Sequence, residues 1–124
     1  MSKILLVEDD QLLVRLYTKK FGKEGYEVVV ANNGDKGIAK AQSELPDIIM
    51  LDLMMPKTNG FEVLEVLSGS AQLKNIPVIV LTNVSSDQDE QRARELGAID
   101  YLVKANVSPA QVVDRIQELL GEVK

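Results

Sequence analysis

The sequence predicts a doubly wound α/β fold, in which a five-stranded parallel sheet carries helices on both faces. Short aliphatic runs alternate with amphipathic stretches five times along the chain, a pattern typical of repeated βα units. Two of these runs end directly in acidic residues, Glu8-Asp9-Asp10 and Asp52, where a buried strand would reach the edge of its sheet. At 124 residues, we expect one domain covering residues 1–124.

The chain begins with a predicted strand over Lys3–Val7 and a predicted helix over Gln11–Lys23. Asp10 is the predicted N-cap of the helix, because a short acidic side chain accepts hydrogen bonds from the free N–H groups of a first turn. Gly25 ends the helix. We expect a set of apolar side chains to lie on or near the buried face of this helix: Leu12, Leu13, Leu16, Tyr17 and Phe21.

Turn residues separate the next three elements. A second strand covers Tyr26–Ala31, and Asn32-Asn33-Gly34 leads from it into a helix over Asp35–Glu44. Pro46 breaks that helix, since proline cannot continue one. The third strand then covers Asp47–Leu51.

The remainder of the chain repeats the alternation twice. Its very polar helix has Ser85, Ser86 or Asp87 as N-cap and stops at Gly97, and Ser108-Pro109 is a cap followed by proline at the first helical position. The predicted elements are a loop at Pro56–Gly60, a helix at Phe61–Leu67, a strand at Pro77–Leu81, a helix at Ser86–Leu96, a strand at Ile99–Val103 and a last helix running to about Leu120.

Composition excludes several classes of function. A net charge of −5 without a Lys/Arg cluster argues against direct nucleic-acid binding. Without cysteine there is no disulfide or thiolate site, and without histidine the usual general base and zinc ligand are missing. No signal peptide or membrane span is evident, so we expect a cytoplasmic protein. The clean stop after the last helix favours a stand-alone protein.

Polar side chains at the strand ends predict a site for phosphate chemistry. Ligands of such sheets bind outside the carboxyl ends of the strands, where the sequence places Asp9, Asp52, Thr82 and Lys104. Crowded carboxylates repel one another unless a cation binds, and oxygen ligands suit Mg2+. A carboxylate can also be a nucleophile, while a hydroxyl and an ammonium group can hold phosphoryl oxygens.

In this order and spacing, the motifs resemble the receiver domain of two-component response regulators over the whole chain. The matching segments are Val7-Glu8-Asp9-Asp10, Pro46-Asp47, Asp52-Leu53-Met54-Met55-Pro56 with Gly60, Leu81-Thr82, Gly97-Ala98 and Tyr101-Leu102-Val103-Lys104. The resemblance implies a flavodoxin-like fold with strand order 2-1-3-4-5, an order for which the chemotaxis member of this family is itself a standard example.

The resemblance also implies a role for each site residue. Asp52 would be the phosphoacceptor, and Asp9, Asp52 and the backbone carbonyl of Met54 would bind Mg2+. Glu8 would act through water or by orienting the site. Thr82 would contact the phosphoryl group, and Lys104 would pair with it. Tyr101 would move from an exposed to a buried position as Thr82 moves.

The implied partners follow from the same resemblance. The phosphoryl group would come from a sensor histidine kinase or a histidine phosphotransfer protein, since this chain has no histidine. An unidentified protein target would read the surface of the fourth helix, fifth strand and fifth helix. We expect no direct contact with nucleic acid or membrane, and a monomer or a weak phosphorylation-dependent dimer. The chain would catalyse its own phosphoryl transfer and slow dephosphorylation without being an enzyme for a separate substrate.

Four positions distinguish this sequence within the resemblance. Ala105 follows Lys104 where the family usually has proline, and Asn83 stands where it usually has a small residue. Met54 and Val84, two residues after Asp52 and Thr82, are apolar and cannot orient a water, so we expect a long-lived phosphorylated form.

Other functions fit the residues less well. A Mg2+-dependent phosphatase needs a second catalytic acid just after the nucleophile, and Leu53 and Met54 offer none. A nucleotide- or flavin-binding module needs a phosphate loop after the first strand, where the acidic run would repel phosphate. A receiver used only for unphosphorylated interactions would not need the acidic, Thr82 and Lys104 positions together. Tyr101 could also be a half-buried core residue, and the polar fourth helix a solvated face.

Overall fold

The computed structural model of the protein describes residues 2–121. Its main sheet has five strands in the order β2-β1-β3-β6-β7, and each adjacent pair is parallel. These strands are β1 Lys3–Val7, β2 Glu27–Ala31, β3 Ile48–Leu51, β6 Val78–Thr82 and β7 Asp100–Val103. The predicted order 2-1-3-4-5 is therefore confirmed, because the predicted fourth and fifth strands are β6 and β7.

Five α-helices alternate with the strands as predicted, and the bounds agree to within two residues. They are α1 Gln11–Lys23, α2 Gly34–Glu44, α3 Gly60–Gly69, α4 Asp87–Glu95 and α5 Pro109–Leu119. The predicted caps Asp10 and Ser86 accept hydrogen bonds from the first turns of α1 and α4, and Asn33, predicted only as part of a turn, caps α2. Ser108 and Gln111 form a capping box at the start of α5.

The core lies on both faces of the sheet. Side chains alternate along each strand, so Leu5 and Val7 of β1 join one buried cluster while Ile4 and Leu6 join the other. Helices α2, α3 and α4 cover the first cluster, and α1 and α5 cover the second. Strands buried on both faces explain why the sequence reads as continuous aliphatic runs.

The segment predicted as a loop at Pro56–Gly60 contains regular structure instead. Met54–Met55 (β4) and Thr58–Asn59 (β5) form a short antiparallel hairpin, and Gly60 begins α3. A Cβ on Gly60 would overlap the Leu53 backbone, so glycine is required at this close approach. Two-residue strands are too short for a periodic pattern, which is why the sequence did not indicate them.

The predicted buried face of α1 is partly wrong. Tyr17 and Phe21 are buried and stack with ring centroids 5.6 Å apart, and Leu13 packs against the same cluster. Leu12 and Leu16, however, are 74% and 46% exposed. Tyr17 and Phe21 define the buried side of the helix, and the two leucines lie one turn apart on another side.

Candidate functional site

The predicted site residues converge at the carboxyl edge of the central strands. The backbone N–H of Glu8 donates to the Ala31 carbonyl at 2.9 Å, and that of Asp52 donates to the Val7 carbonyl at 3.1 Å. These bonds fix the first residues beyond β1 and β3 as a continuation of the sheet. Thr82 is the last residue of β6, and Lys104 follows β7. Because β1, β3, β6 and β7 are neighbours, the four polar positions share one edge.

Three of these residues form an acidic cluster. Glu8, Asp9 and Asp52 each offer a carboxylate oxygen, and the three atoms lie within 4.8 Å of one another. Glu8 and Asp52 are only 2% and 4% exposed, and Asp9 is half-buried. Asp10 is exposed and caps α1, as predicted, with its Oδ1 accepting from the N–H groups of Leu12 and Leu13. An all-oxygen, acidic donor set of this kind is suited to a hard divalent cation.

Lys104 joins two of the three carboxylates. Its Nζ lies 2.6 Å from Glu8 Oε1 and donates to Asp52 Oδ2 at 2.9 Å. Burial alone would lower the pKa of Lys104, but the hydrogen bonds to Glu8 and Asp52 outweigh it and raise that pKa above its ordinary value. Burial raises the pKa of Glu8, an effect that Lys104 only partly offsets. Both shifts favour extra positive charge in the site.

The formal charges of these four side chains indicate which kind of ion suits the site. Three ionised carboxylates facing one ammonium group leave two formal negative charges in a largely buried space. A divalent cation would balance that excess, and burial makes the balance worth more than it would be in water. The cluster therefore fits a divalent metal better than a monovalent one.

Both oxygens of Glu8 are engaged by protein groups. Oε1 faces Lys104, and Oε2 accepts from the backbone N–H groups of Asp9 and Asp10 at 3.1 Å each. Glu8 thus fixes the turn that carries Asp9 and the position of the lysine. This arrangement supports an orienting role for Glu8 rather than direct coordination.

The loop after Asp52 presents its backbone to the site. The Met54 N–H donates to Asp52 Oδ1 at 3.0 Å, while the Met54 side chain is 63% exposed. One carboxylate oxygen of Asp52 therefore accepts from the loop backbone, and the other accepts from Lys104. The loop and the lysine together fix the orientation of the carboxylate.

Thr82 and Tyr101 lie beside this cluster and meet at one backbone segment. Thr82 is fully buried, and its hydroxyl oxygen accepts from the Val84 N–H at 3.4 Å. Tyr101 is 7% exposed, and its hydroxyl donates to the Val84 carbonyl at 2.8 Å. Tyr101 is thus in a buried position in this structure. Its side chain and that of Thr82 both hydrogen-bond the backbone of Val84.

Ala105 lies in regular backbone directly after the site lysine. Lys104–Asn106 form a single 3₁₀ turn, and every peptide bond within residues 2–121 is trans. Asn83 is exposed at the end of β6.

One buried acid was not anticipated from the sequence. Asp100, the first residue of β7, is 7% exposed and binds the guanidinium groups of Arg94 from α4 and Arg115 from α5. Its carboxylate also accepts from the Tyr101 N–H at 2.9 Å. Burial would raise the pKa of Asp100, but these partners outweigh it and lower that pKa. An isolated Asp at a strand start carries no signal that two distant arginines will reach it.

The profile of the response regulator receiver domain family matches residues 4–117. The chain belongs to this family. Receiver domains are the phosphoacceptor domains of two-component signalling, where they interact with histidine kinases and downstream targets. They bind a divalent metal at an acidic pocket, which here corresponds to the cluster of Glu8, Asp9 and Asp52.

Relatives of this receiver domain include both short and long proteins. It is 36% identical over 104 residues to protein PilH of Pseudomonas aeruginosa, covering 84% of this chain and 86% of PilH. It is 37% identical over 119 residues to the alkaline phosphatase synthesis transcriptional regulatory protein PhoP of Bacillus subtilis, covering 96% of this chain. It spans 48% of the length of PhoP, so about half of that longer protein.

Solved receiver structures share its fold closely. The BeF3-activated N-terminal receiver domain of Klebsiella pneumoniae RstA superposes with a TM-score of 0.86 at 33% identity, covering 95% of this chain and 97% of that one. The Mn(2+)-bound form of response regulator Rcp1 gives a TM-score of 0.85 at 31% identity, covering 100% and 98%. Across residues 2–121 of this receiver domain, every helix is too short or too polar to cross a membrane.

Proposed function

We propose that this chain is a single receiver domain, residues 1–124, in which Asp52 accepts a phosphoryl group from a sensor histidine kinase or a histidine phosphotransfer protein. The observation that carries the proposal is the buried arrangement of Asp52 between Lys104 and the acidic cluster. A carboxylate this buried, 4% exposed, and held by both an ammonium group and a backbone N–H has a fixed direction of attack.

The transfer balances within this site. One Asp52 oxygen forms the new bond to phosphorus, the P–N bond of a phosphohistidine breaks, and its electron pair returns to the imidazole ring of the partner. Lys104 can form an ion pair with a phosphoryl oxygen on Asp52, since its Nζ already lies 2.9 Å from Asp52 Oδ2. The Thr82 hydroxyl can donate to a second phosphoryl oxygen.

Mg2+ is the cation we propose for the acidic cluster. The Asp9 and Asp52 carboxylates and the Met54 carbonyl would hold it, while Glu8 stays on Lys104 and the backbone. When bound, it would screen the repulsion between the carboxylates and the incoming phosphoryl group. The Mn(2+) form of Rcp1 supports a divalent metal here, and oxygen ligands together with cellular availability favour Mg2+.

The exposed side of α1 supports contact with a phosphodonor protein. Leu12 and Leu16 lie one turn apart at 74% and 46% exposure, on a helix that begins directly after the acidic run. Exposed large apolar side chains in a cluster are typical of a protein-binding surface. A donor that docks here would place its phosphohistidine next to the site.

The output we propose is a change on the face formed by α4, β7 and α5. Tyr101 of β7 and Thr82 of β6 both bond to the Val84 backbone, which precedes α4. A phosphoryl group that draws the Thr82 hydroxyl away would release one of these two bonds, so the segment leading to α4 would shift. A downstream protein would read that shift, either as a partner of the monomer or by favouring a weak dimer.

Intact-mass measurement after treatment with acetyl phosphate tests this function. We expect one added phosphoryl group, about 80 Da by mass, only when Mg2+ is present. Asp52→Asn should gain none, and Lys104→Ala should blunt any conformational response. Asp47→Asn is the matched control, because Asp47 is exposed at the opposite end of β3. A label on Thr82 or on a serine would show that the proposed mechanism is wrong.

A further inference from the structure

The hairpin that follows Asp52 is attached to the start of α2 by one side chain. Thr58 of β5 accepts a hydrogen bond through Oγ1 from the Gly34 backbone N–H at 3.1 Å. Gly34 is the first residue of α2, so its N–H has no acceptor within the helix. The residue is also buried. Thr58 therefore caps a helix from a segment 24 residues away in sequence.

The contact is also close-packed. A Cβ on Gly34 would lie 2.8 Å from Cγ2 of Thr58 and 2.7 Å from Cγ2 of Val63. The helix start can approach the hairpin this closely only because residue 34 is glycine. The hydroxyl and the methyl of Thr58 thus both engage the same backbone position.

Helix α2 contacts both segments that contribute to the acidic cluster, the one with Glu8 and Asp9 and the one that follows Asp52. One turn beyond Gly34, a Cβ on Gly37 would lie 3.0 Å from a methyl of Val7, the residue before Glu8. At the other end, Thr58 pairs with Met55 and Asn59 pairs with Met54 in the hairpin. Helix α2 therefore rests on the strand that carries Glu8 and Asp9, and its first residue holds the hairpin that carries Met54.

We propose that Thr58 is a positioning residue for the metal and phosphoacceptor site, acting through Met54. The Met54 N–H holds Asp52 Oδ1, and its carbonyl is a proposed metal ligand, so a displaced hairpin moves two groups of the site at once. The inference rests on the proposed function. Thr58 itself touches neither Asp52 nor the metal position, and its effect is on the geometry of the Met54 backbone.

Removing the Thr58 hydroxyl while keeping its shape tests the role. Thr58→Val should weaken Mg2+ binding roughly tenfold, as is common when an outer-shell hydrogen bond is lost, measured by amide NMR titration with MgCl2. The Met54 amide should exchange faster with solvent. Thr58→Ser, which keeps the hydroxyl, should restore both. Thr18→Val, the same change at an exposed position of α1, should alter neither.

Two readouts separate a positioning role from a merely structural one. Phosphorylation of Asp52 by acetyl phosphate should be slower in Thr58→Val than in the wild type, and it should recover when Mg2+ is raised to saturation. If Thr58→Val melts at a lower temperature yet binds Mg2+ as tightly as the wild type, the inference is overturned. If Thr58→Val does not fold, Thr58→Ala replaces it in the experiment, because the smaller side chain leaves room for a water at the Gly34 N–H. The same weakening of Mg2+ binding is expected. A wild type that binds no Mg2+ would instead reject the proposed function.

Discussion

At the residue scale, the lifetime of the phosphorylated form depends on what surrounds Asp52. Hydrolysis requires a water in line behind the phosphorus, and the resemblance to receivers places Met54 and Val84 nearest that path. Met54 is 63% exposed and Val84 is half-buried, and neither side chain can hydrogen-bond a water. We expect an apolar pair at these positions to exclude a well-oriented nucleophile.

We therefore expect Met54→Asn to lose its phosphoryl group roughly tenfold faster, because an amide can orient water without acting as a base. Mg2+ binding should be unchanged, since the metal would use the backbone carbonyl at this position. Loss of the phosphoryl group can be followed by intact mass after removal of excess acetyl phosphate. Met54→Leu is the matched apolar control and should decay as the wild type does. Equal rates for the Asn and Leu variants would contradict the shielding role and would favour the Asn83 amide as the group that orients the water.

The residues that the sequence identified share one property, and those it missed share another. Asp9, Asp52, Thr82 and Lys104 each follow an aliphatic strand, so a change from apolar to polar marks them along the chain. Thr58 and Asp100 act through partners 24 and 15 residues away. Their contacts exist only once helices have packed on the sheet, so no local pattern could predict them.

At the element scale, strands were easier to predict than helix faces. Burial on both sides makes each strand uniformly aliphatic, whereas α1 carries apolar residues on more than its buried side. The helical period predicts Leu12 and Leu16 near the buried face, because it depends on which residues are apolar and not on whether another element covers them. In α4, by contrast, the only buried residue is Ala93, and Arg94 of this helix forms an ion pair with Asp100.

The ion pairs of Asp100 predict an acid sensitivity of the fold. It connects β7 to α4 through Arg94 and to α5 through Arg115. Its pKa is lowered by these partners against the effect of burial, so the native state releases this proton more readily than the unfolded chain does. The resulting stabilisation is present above the unfolded pKa of about 3.9 and is lost as pH falls through the lower native pKa.

Asp100→Asn should accordingly lower the free energy of unfolding by about 1–2 kcal/mol at pH 7. As pH falls from about 4 through the lower native pKa, the difference from the wild type should shrink, because the wild-type carboxylate becomes protonated and loses its ion pairs with Arg94 and Arg115. Urea unfolding at a series of pH values measures both effects. Asp114→Asn, at an exposed position of α5, serves as the control. A difference that is constant from pH 7 to pH 2 would exclude the ionised Asp100 as its source.

At the scale of the whole molecule, the acidic cluster links metal binding to stability. Two uncompensated negative charges in a largely buried site oppose folding, and a cation that binds only the native state relieves them. The gain is RT ln(1 + [L]/Kd), about 2.7 kcal/mol when Mg2+ is at 100 times its Kd. Asp9 and Asp52, the carboxylates proposed to hold the cation, are the groups on which that relief would act most directly.

Asp9→Asn should therefore raise the metal-free Tm by roughly 4 °C, which corresponds to about 1 kcal/mol for a domain of this size. It should also weaken the rise in Tm that Mg2+ produces in the wild type. Thermal unfolding in EDTA and across a MgCl2 series measures both. Asp10→Asn keeps the N-cap and should retain the full Mg2+ response. A wild-type Tm that is insensitive to Mg2+ would reject the metal site.

The signal itself should be a population shift of the native fold. A phosphoryl group on Asp52 would contact Thr82 and Lys104 in one arrangement more than in another, and only that difference could move the equilibrium. Tyr101, buried here with its hydroxyl on Val84, reports the position of the segment before α4.

With Mg2+ present, beryllofluoride should shift the amide NMR signals of Asn83, Tyr101 and Lys104. Val29, on the edge strand β2, lies four strands from β7 and should not respond. Unchanged signals at the first three positions would reject the switch. Full output from Tyr101→Ala would show that the switch works without this side chain.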